Sequence, residues 1–246
     1  YVSVLWETDG SGTFDNANAV NPTYFPGAAD VQAGIVTLTF TANADGTCAN
    51  ATDDITLSIV ESPSADAGAD ASICDSEVSF ALTGIASNFN SVHWTTSGSG
   101  AFDDPTLLET DYVPSAEDIT DGQVELALMV YGNSPCGDAG DEMVLSIWQA
   151  PTAFAGIDAT ICEGENHALT AATASKYVSL LWETDGTGTF DNANALNPTY
   201  YPSTADVADG SVNLSITGYA SGSCTDATDD IVLTIIALPT VNAGAD

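Results

Sequence analysis

The sequence predicts an all-β chain built from tandem two-sheet sandwiches, and three observations predict it. The distinctive residues recur every 88 positions. Apolar residues alternate with polar ones in short runs, which is the period of a half-buried strand. Clusters of Gly, Asn, Asp and Ser separate those runs and favour turns.

The period comes first. Trp6, Trp94 and Trp182 stand 88 residues apart, as do Cys48, Cys136 and Cys224, and Cys74 and Cys162 share the offset. Gly68, Gly156 and Gly244 fall in phase inside ADAGAD, AFAGID and VNAGAD. A fixed period of this length marks a repeat array, with one small domain per repeat. Residues 1–60 read as a partial repeat that lacks its first strands, 61–148 and 149–236 as complete repeats, and 237–246 as the start of a further one. Both ends therefore fall inside repeats, and the chain reads as a piece of a longer array.

Within each repeat one long strand carries Val36, Leu38 and Phe40, then Val124, Leu126, Leu128 and Val130, then Val212, Leu214 and Ile216. A closing strand carries Ile55, Leu57 and Ile59, then Met143, Leu145 and Ile147, then Ile231, Leu233 and Ile235. Shorter strands are expected over 78–83 and 92–96, and no stretch shows a helical period. About seven short strands per repeat predict an antiparallel two-sheet sandwich. Trp6, Trp94 and Trp182 are expected to anchor its core, since Trp94 shares the parity of Val92; an exposed Trp stacking on sugar is the alternative.

The phrase WETDGSGTFDNANAVNPTYFP at 6–26 returns almost unchanged at 182–202 and more loosely at 94–114. Trp6 and Phe14 bracket a Gly-rich turn and would enter the core from two segments. Pro22 and Pro26 hold an extended edge around Tyr24. The phrase reads as a corner that specifies the fold.

Cys74 and Cys136 share one repeat, and Cys162 and Cys224 the next, so the expected disulfides are Cys74 with Cys136 and Cys162 with Cys224; the partner of Cys48 would lie before Tyr1. Each such bridge would stabilise a small extracellular domain by roughly 3–4 kcal/mol. A zinc site is the rival use of two cysteines, though no His recurs with them. The chain carries 35 acidic residues against one basic residue, for a formal charge of −34. That charge repels nucleic acid and disfavours anionic membrane surfaces, and no apolar run is long enough to span a bilayer.

AGADASIC, WTTSGSGAF, DYVPSAEDITDGQVELAL and PCGDAGDEMVLSI together resemble the immunoglobulin-like, PKD-like repeats of giant surface adhesins in the Bacteroidota. The nearest type is the SprB-type gliding-motility adhesin exported by the type 9 secretion system. Antibody-type domains carry Tyr two residues before the second Cys, where this chain has Ser134 and Gly222. The resemblance implies a sandwich fold and an extracellular, outer-membrane-associated setting, and it implies no binding site.

Acidic residues cluster near the ends of the repeats. Asp53 with Asp54, Asp141 with Glu142, and Asp229 with Asp230 precede the closing strands, while Asp70 and Asp158 end the AGxD phrase. Calcium takes six to eight oxygen ligands and binds such loops weakly outside the cell; the alternative is a solvated acidic face. A catalytic carboxylate pair needs a defined cleft, and the same site in every repeat would be unusual. The expected function is a non-enzymatic shaft segment for adhesion or gliding, stiffened by short joints at Pro63, Pro151 and Pro239. Its partners would be neighbouring repeats of the same chain, with polysaccharide or other surface filaments beyond them. The second reading is a tandem carbohydrate-binding module displaying Tyr24 with Phe25, Tyr112, and Tyr200 with Tyr201.

Overall fold

The computed structural model describes residues 1–242. Gly244 and Asp246, the phased ends of the last AGxD phrase, lie outside the described residues. The first module comprises β1 (Ser3–Thr8), β2 (Thr13–Phe14), β3 (Tyr24–Phe25), α1 (Ala28–Ala33), β4 (Ile35–Asn43) and β5 (Ala51–Ser58). The second comprises β6 (Ser64–Asp66), β7 (Ala71–Cys74), β8 (Phe80–Thr83), β9 (Ile85–Ser87), β10 (Phe89–Thr96), β11 (Ala101–Phe102), β12 (Glu109–Val113), α2 (Ala116–Asp121), β13 (Gln123–Gly132) and β14 (Ala139–Trp148). The third comprises β15 (Thr152–Phe154), β16 (Ala159–Cys162), β17 (His167–Ala168), β18 (Thr173–Ser175), β19 (Ser179–Thr184), β20 (Thr189–Phe190), β21 (Thr199–Tyr201), α3 (Thr204–Asp209), β22 (Ser211–Tyr219) and β23 (Ala227–Ile236).

Each complete module is an immunoglobulin-like sandwich. In the second, a sheet ordered β10-β13-β14-β7 faces one ordered β11-β12-β8, with the β6-β9 pair beside them. The third repeats this as β16-β23-β22-β19, β17-β21-β20 and β15-β18. The alternating run on β13 supplies the core, with Leu126, Leu128 and Val130 fully buried, and Met143, Leu145 and Ile147 of β14 join it. The third module has its own core around Leu214, Ile216 and Leu233. Trp94 and Trp182 are 1% and 2% exposed, in the core as expected. Trp6, in the first module, is half-buried.

Two features depart from the expected pattern. The sheets are not wholly antiparallel: β7 runs parallel to β14 and β16 parallel to β23. The AGxD phrase accounts for this, because Gly68 (φ 91°) and Gly156 (φ 113°) adopt backbone that only glycine takes easily, letting the chain leave one edge pair and join the other sheet. The second feature is a six-residue helix in every module, too short to show a period.

The helix explains the repeated phrase. Its third residue, Asp30, Asp118 or Asp206, is 2% exposed. Asp118 Oδ1 accepts from the backbone N–H of Ser99 at 2.9 Å. Its Oδ2 accepts from the N–H groups of Gly100 and Ser115, each at 2.9 Å, and from the Tyr112 hydroxyl at 2.7 Å. Asp206 and Asp30 take the same tyrosine, as Tyr200 at 2.7 Å and Tyr24 at 2.6 Å. That tyrosine continues a file of rings, Trp94 to Phe102 at 6.4 Å and Phe102 to Tyr112 at 5.1 Å. The glycines of the turn are required by close approach: a Cβ on Gly98 would overlap the Asp118 carboxylate, and one on Gly100 the Tyr112 hydroxyl. The phrase thus encodes a Trp–Phe–Tyr file that ends on a buried, fully hydrogen-bonded carboxylate.

Candidate functional site: the joint between modules

Parallel pairing carries β7 to the far end of its module, where Cys74 lies opposite Trp148, the last residue of β14. The turn after Cys74 is fixed there, since Asp75 N–H donates to Trp148 O at 2.8 Å. Only Gln149, Ala150 and Pro151 separate β14 from β15. All three are held: Gln149 Nε2 donates to Ile119 O at 3.1 Å, Ala150 N–H donates to Asp75 Oδ1 at 3.0 Å, and Pro151 is buried. From the other side comes the β22–β23 turn of the third module. It is closed by Ala220 N–H on Asp226 Oδ1 at 2.7 Å and carries Gly222 and Cys224. Gly222 (φ 56°) lies so near the Trp148 indole that a Cβ would overlap it, which places Trp148 against the next module.

Across this contact Cys74 and Cys224 form a disulfide, with Cα atoms 4.8 Å apart and 150 positions between them in sequence. This corrects both expected pairings, Cys74 with Cys136 and Cys162 with Cys224. The reason is length. Cys136 sits in the β13–β14 turn at the near end of the second module, and the ten residues of β14 separate that turn from Trp148 and Cys74. Ten strand residues span about 33 Å, whereas a disulfide needs its Cα atoms within about 7 Å. Cys162 and Cys224 are kept apart in the same way by β23. Cys48, Cys136 and Cys162 are free thiols.

Four of the carboxylates expected to bind calcium accept backbone N–H groups on one oxygen each. Asp70 Oδ1 accepts from Val144 N–H at 2.8 Å, and Asp158 Oδ1 from Val232 N–H at 2.9 Å. Asp141 Oδ2 accepts from Ala67 N–H, and Asp229 Oδ2 from Ala155 N–H, each at 2.8 Å. These pairs clasp the strand-switching loop to the closing strand of the same module. Asp54 accepts from Thr39 Oγ1 at 2.7 Å, and Asp53 and Asp230 are exposed. Glu142 is pushed above the usual carboxylate range, first by the charge of Glu125 beside it. Among the described residues, the one group of three His, Cys, Asp or Glu ligand atoms close enough to share an ion is Cys74, Asp75 and Cys224. Both of its sulfurs are consumed by the disulfide.

The aromatic pairs divide as alternation requires. Tyr112 and Tyr200 are fully buried and Tyr24 is half-buried, while Phe25 and Tyr201 face outward. Among the described residues, no helix is long and apolar enough to cross a membrane.

No protein-family model matches the chain, and no curated protein matches it in sequence. Among solved structures, the chain is similar to mouse Cadherin-23 EC22-24, at 14% identity over 96% of this chain and 86% of that one, with a TM-score of 0.37. Extracellular domains 3-5 of Drosophila OTK give 13% identity, coverages of 95% and 85%, and a TM-score of 0.48. Titin domains I67-I69, in an E-to-A mutated variant, give 11% identity, coverages of 96% and 88%, and a TM-score of 0.45.

Proposed function

We propose that this chain is a load-bearing, non-catalytic spacer of an extracellular adhesion protein, in which sandwich modules are joined end to end by short, fixed joints. One observation carries the reading: the Cys74–Cys224 disulfide ties one module to the next and leaves no bridge inside either. Such bonds persist outside reducing compartments, which supports an extracellular setting. The motif resemblance supports a finer reading, the shaft of a giant Bacteroidota surface adhesin of the gliding-motility type, exported by the type 9 system and held at the outer membrane. The reading does not require calcium, since Asp70, Asp141, Asp158 and Asp229 already hold the junction loops through backbone N–H groups. Of the aromatic residues expected to form a carbohydrate platform, Phe25 and Tyr201 are exposed, and they lie in different modules.

The test is to stretch single molecules held at their two ends. With the disulfide intact, force passes from Cys74 to Cys224 through one S–S bond and bypasses the chain between them. Reduction is expected to release that segment, adding about 500 Å at ~3.3–3.6 Å per residue. Equal extension with and without reductant would overturn the reading, as would saturable binding of the oxidised chain on a glycan array.

A further inference from the structure

The three free thiols lie at copies of the two half-sites that Cys74 and Cys224 occupy. Cys136 precedes Cys224 by one period, and its turn has the same build. Gly132 N–H donates to Asp138 Oδ1 at 3.1 Å, as Ala220 N–H does to Asp226. Cys136 Sγ lies 3.3 Å from the carbonyl oxygen of Val60, and Cys224 Sγ lies 3.4 Å from that of Trp148, the residue one period after Val60. At the opposite end, Cys162 stands beside Ile236 on a parallel strand pair, as Cys74 stands beside Trp148. Cys162 N–H donates to Glu165 Oε2 at 2.8 Å and Glu163 N–H to Ile236 O at 2.8 Å, matching the bonds of Cys74 to Glu77 and of Asp75 to Trp148. Cys48 occupies a third copy of the turn, where Ala44 N–H donates to Asn50 Oδ1 at 3.0 Å.

We propose that Cys136, Cys162 and Cys48 are sites of the same inter-module cross-link, each pairing with the cysteine of an adjacent repeat 150 positions away, so that every joint of the array is stapled. The bond forms by thiol–disulfide exchange with a donor disulfide. One cysteine thiolate attacks a donor sulfur and expels one donor thiol; the second thiolate attacks the resulting mixed disulfide and expels the other. The two electrons pass to the donor disulfide, and the two protons end on its thiols or in solvent.

The consequence is mechanical and deepens the spacer reading, on which it rests. Between the end of one staple and the start of the next along the same covalent line lie the segments Cys48 to Cys74 or Cys136 to Cys162, each 26 positions. Two 88-residue repeats therefore add only 26 positions to the load path, about 90 Å when fully drawn out. The same two repeats without staples would extend to about 600 Å. Folded, two modules built on ten-residue strands already span roughly 70 Å. A stapled array keeps nearly its folded length even when its modules unfold.

The cross-link assignment is tested by continuing the period. Residues 159–246 are duplicated directly after Asp246 in the full chain, which adds a module whose copy of Cys224 follows Cys162 by 150 positions. The protein is oxidised with glutathione disulfide, digested without reduction and mapped by mass spectrometry. The expected map retains Cys74–Cys224 and gains Cys162 joined to the copy of Cys224. A bond within the added module, between the copies of Cys162 and Cys224, would overturn the proposal, and so would complete alkylation of Cys162. In the unextended chain, Cys224→Ser is expected to leave Cys74 fully alkylatable; a Cys74–Cys136 bond there would also overturn it. A chain with the expected map whose extension ignores reductant would defeat the spacer reading and leave the cross-link standing.

Discussion

At the residue scale, the buried carboxylate of each module is the group on which most polar contacts converge. Burial pushes Asp118 up, but the N–H groups of Ser115 and Ser99 and the Tyr112 hydroxyl more than offset it, so its pKa is lowered; Asp206 behaves alike. Tyr112 and Tyr200 are pushed up to about 12, first by burial and then by the facing carboxylates, against the opposing hydrogen bonds of Thr96 and Thr184. The signs define two pH limits. A lowered carboxylate stabilises fully above its unfolded pKa of ~4, and that contribution is lost as pH falls through the folded value. A raised phenol stabilises fully below its unfolded pKa of ~10 and loses that contribution as pH climbs towards 12. Asp118→Asn faces four donors with an amide that accepts on one atom and donates from the other, so it is expected to cost roughly 3 kcal/mol. Melting followed against pH should show that cost at neutrality, together with a shallower acid limb. Asp30, Asp118 and Asp206 recur at the 88-residue period, but residue type does not distinguish one buried carboxylate among 35 acidic residues.

At the element scale, the long strands were legible because alternation over β13, β14, β22 and β23 is uninterrupted. The helices were not, since six residues hold less than two turns. Their caps did carry a signal. Ser115 and Ser203 stand three residues before the buried Asp and accept from its N–H at 3.1 Å, while Gly122 and Gly210 close the helices in the left-handed region. Ser115→Ala is accordingly expected to lower the stability of the second module by about 1 kcal/mol in thermal melting. The junction carboxylates were legible as a set, but their targets depend on the parallel strand that sequence did not reveal. Since Asp70, Asp141, Asp158 and Asp229 each hold a backbone N–H, a chelator is expected to leave the melting temperature unchanged. A fall of several degrees with EDTA, reversed by calcium, would show that these loops bind the ion after all.

At the scale of the whole molecule, the 88-residue period was plain, while the connectivity across it was hidden. Two cysteines in one repeat look like partners on paper, and only the direction of β7 shows that they lie at opposite ends of a module. That connectivity makes a distinctive thermal prediction. The staple closes a loop of 150 positions that includes most of the second and third modules. Whichever of the two unfolds first opens a closed loop of nearly one module, and the cross-link opposes that step by roughly 4–5 kcal/mol in the entropy model. Unfolding the other then only doubles the loop, which adds about 0.6 kcal/mol. The stabilisation is therefore concentrated in the first step, and the two cores, separate in packing, are expected to melt as nearly one transition when oxidised. Reduction should split that transition and lower its first part by roughly 10–20 °C. Calorimetry with and without reductant measures this directly, with Cys74→Ser reproducing the reduced profile and a double Cys136→Ser, Cys162→Ser variant retaining the oxidised one. A profile indifferent to reductant would mean that the modules gain nothing from the bond that joins them.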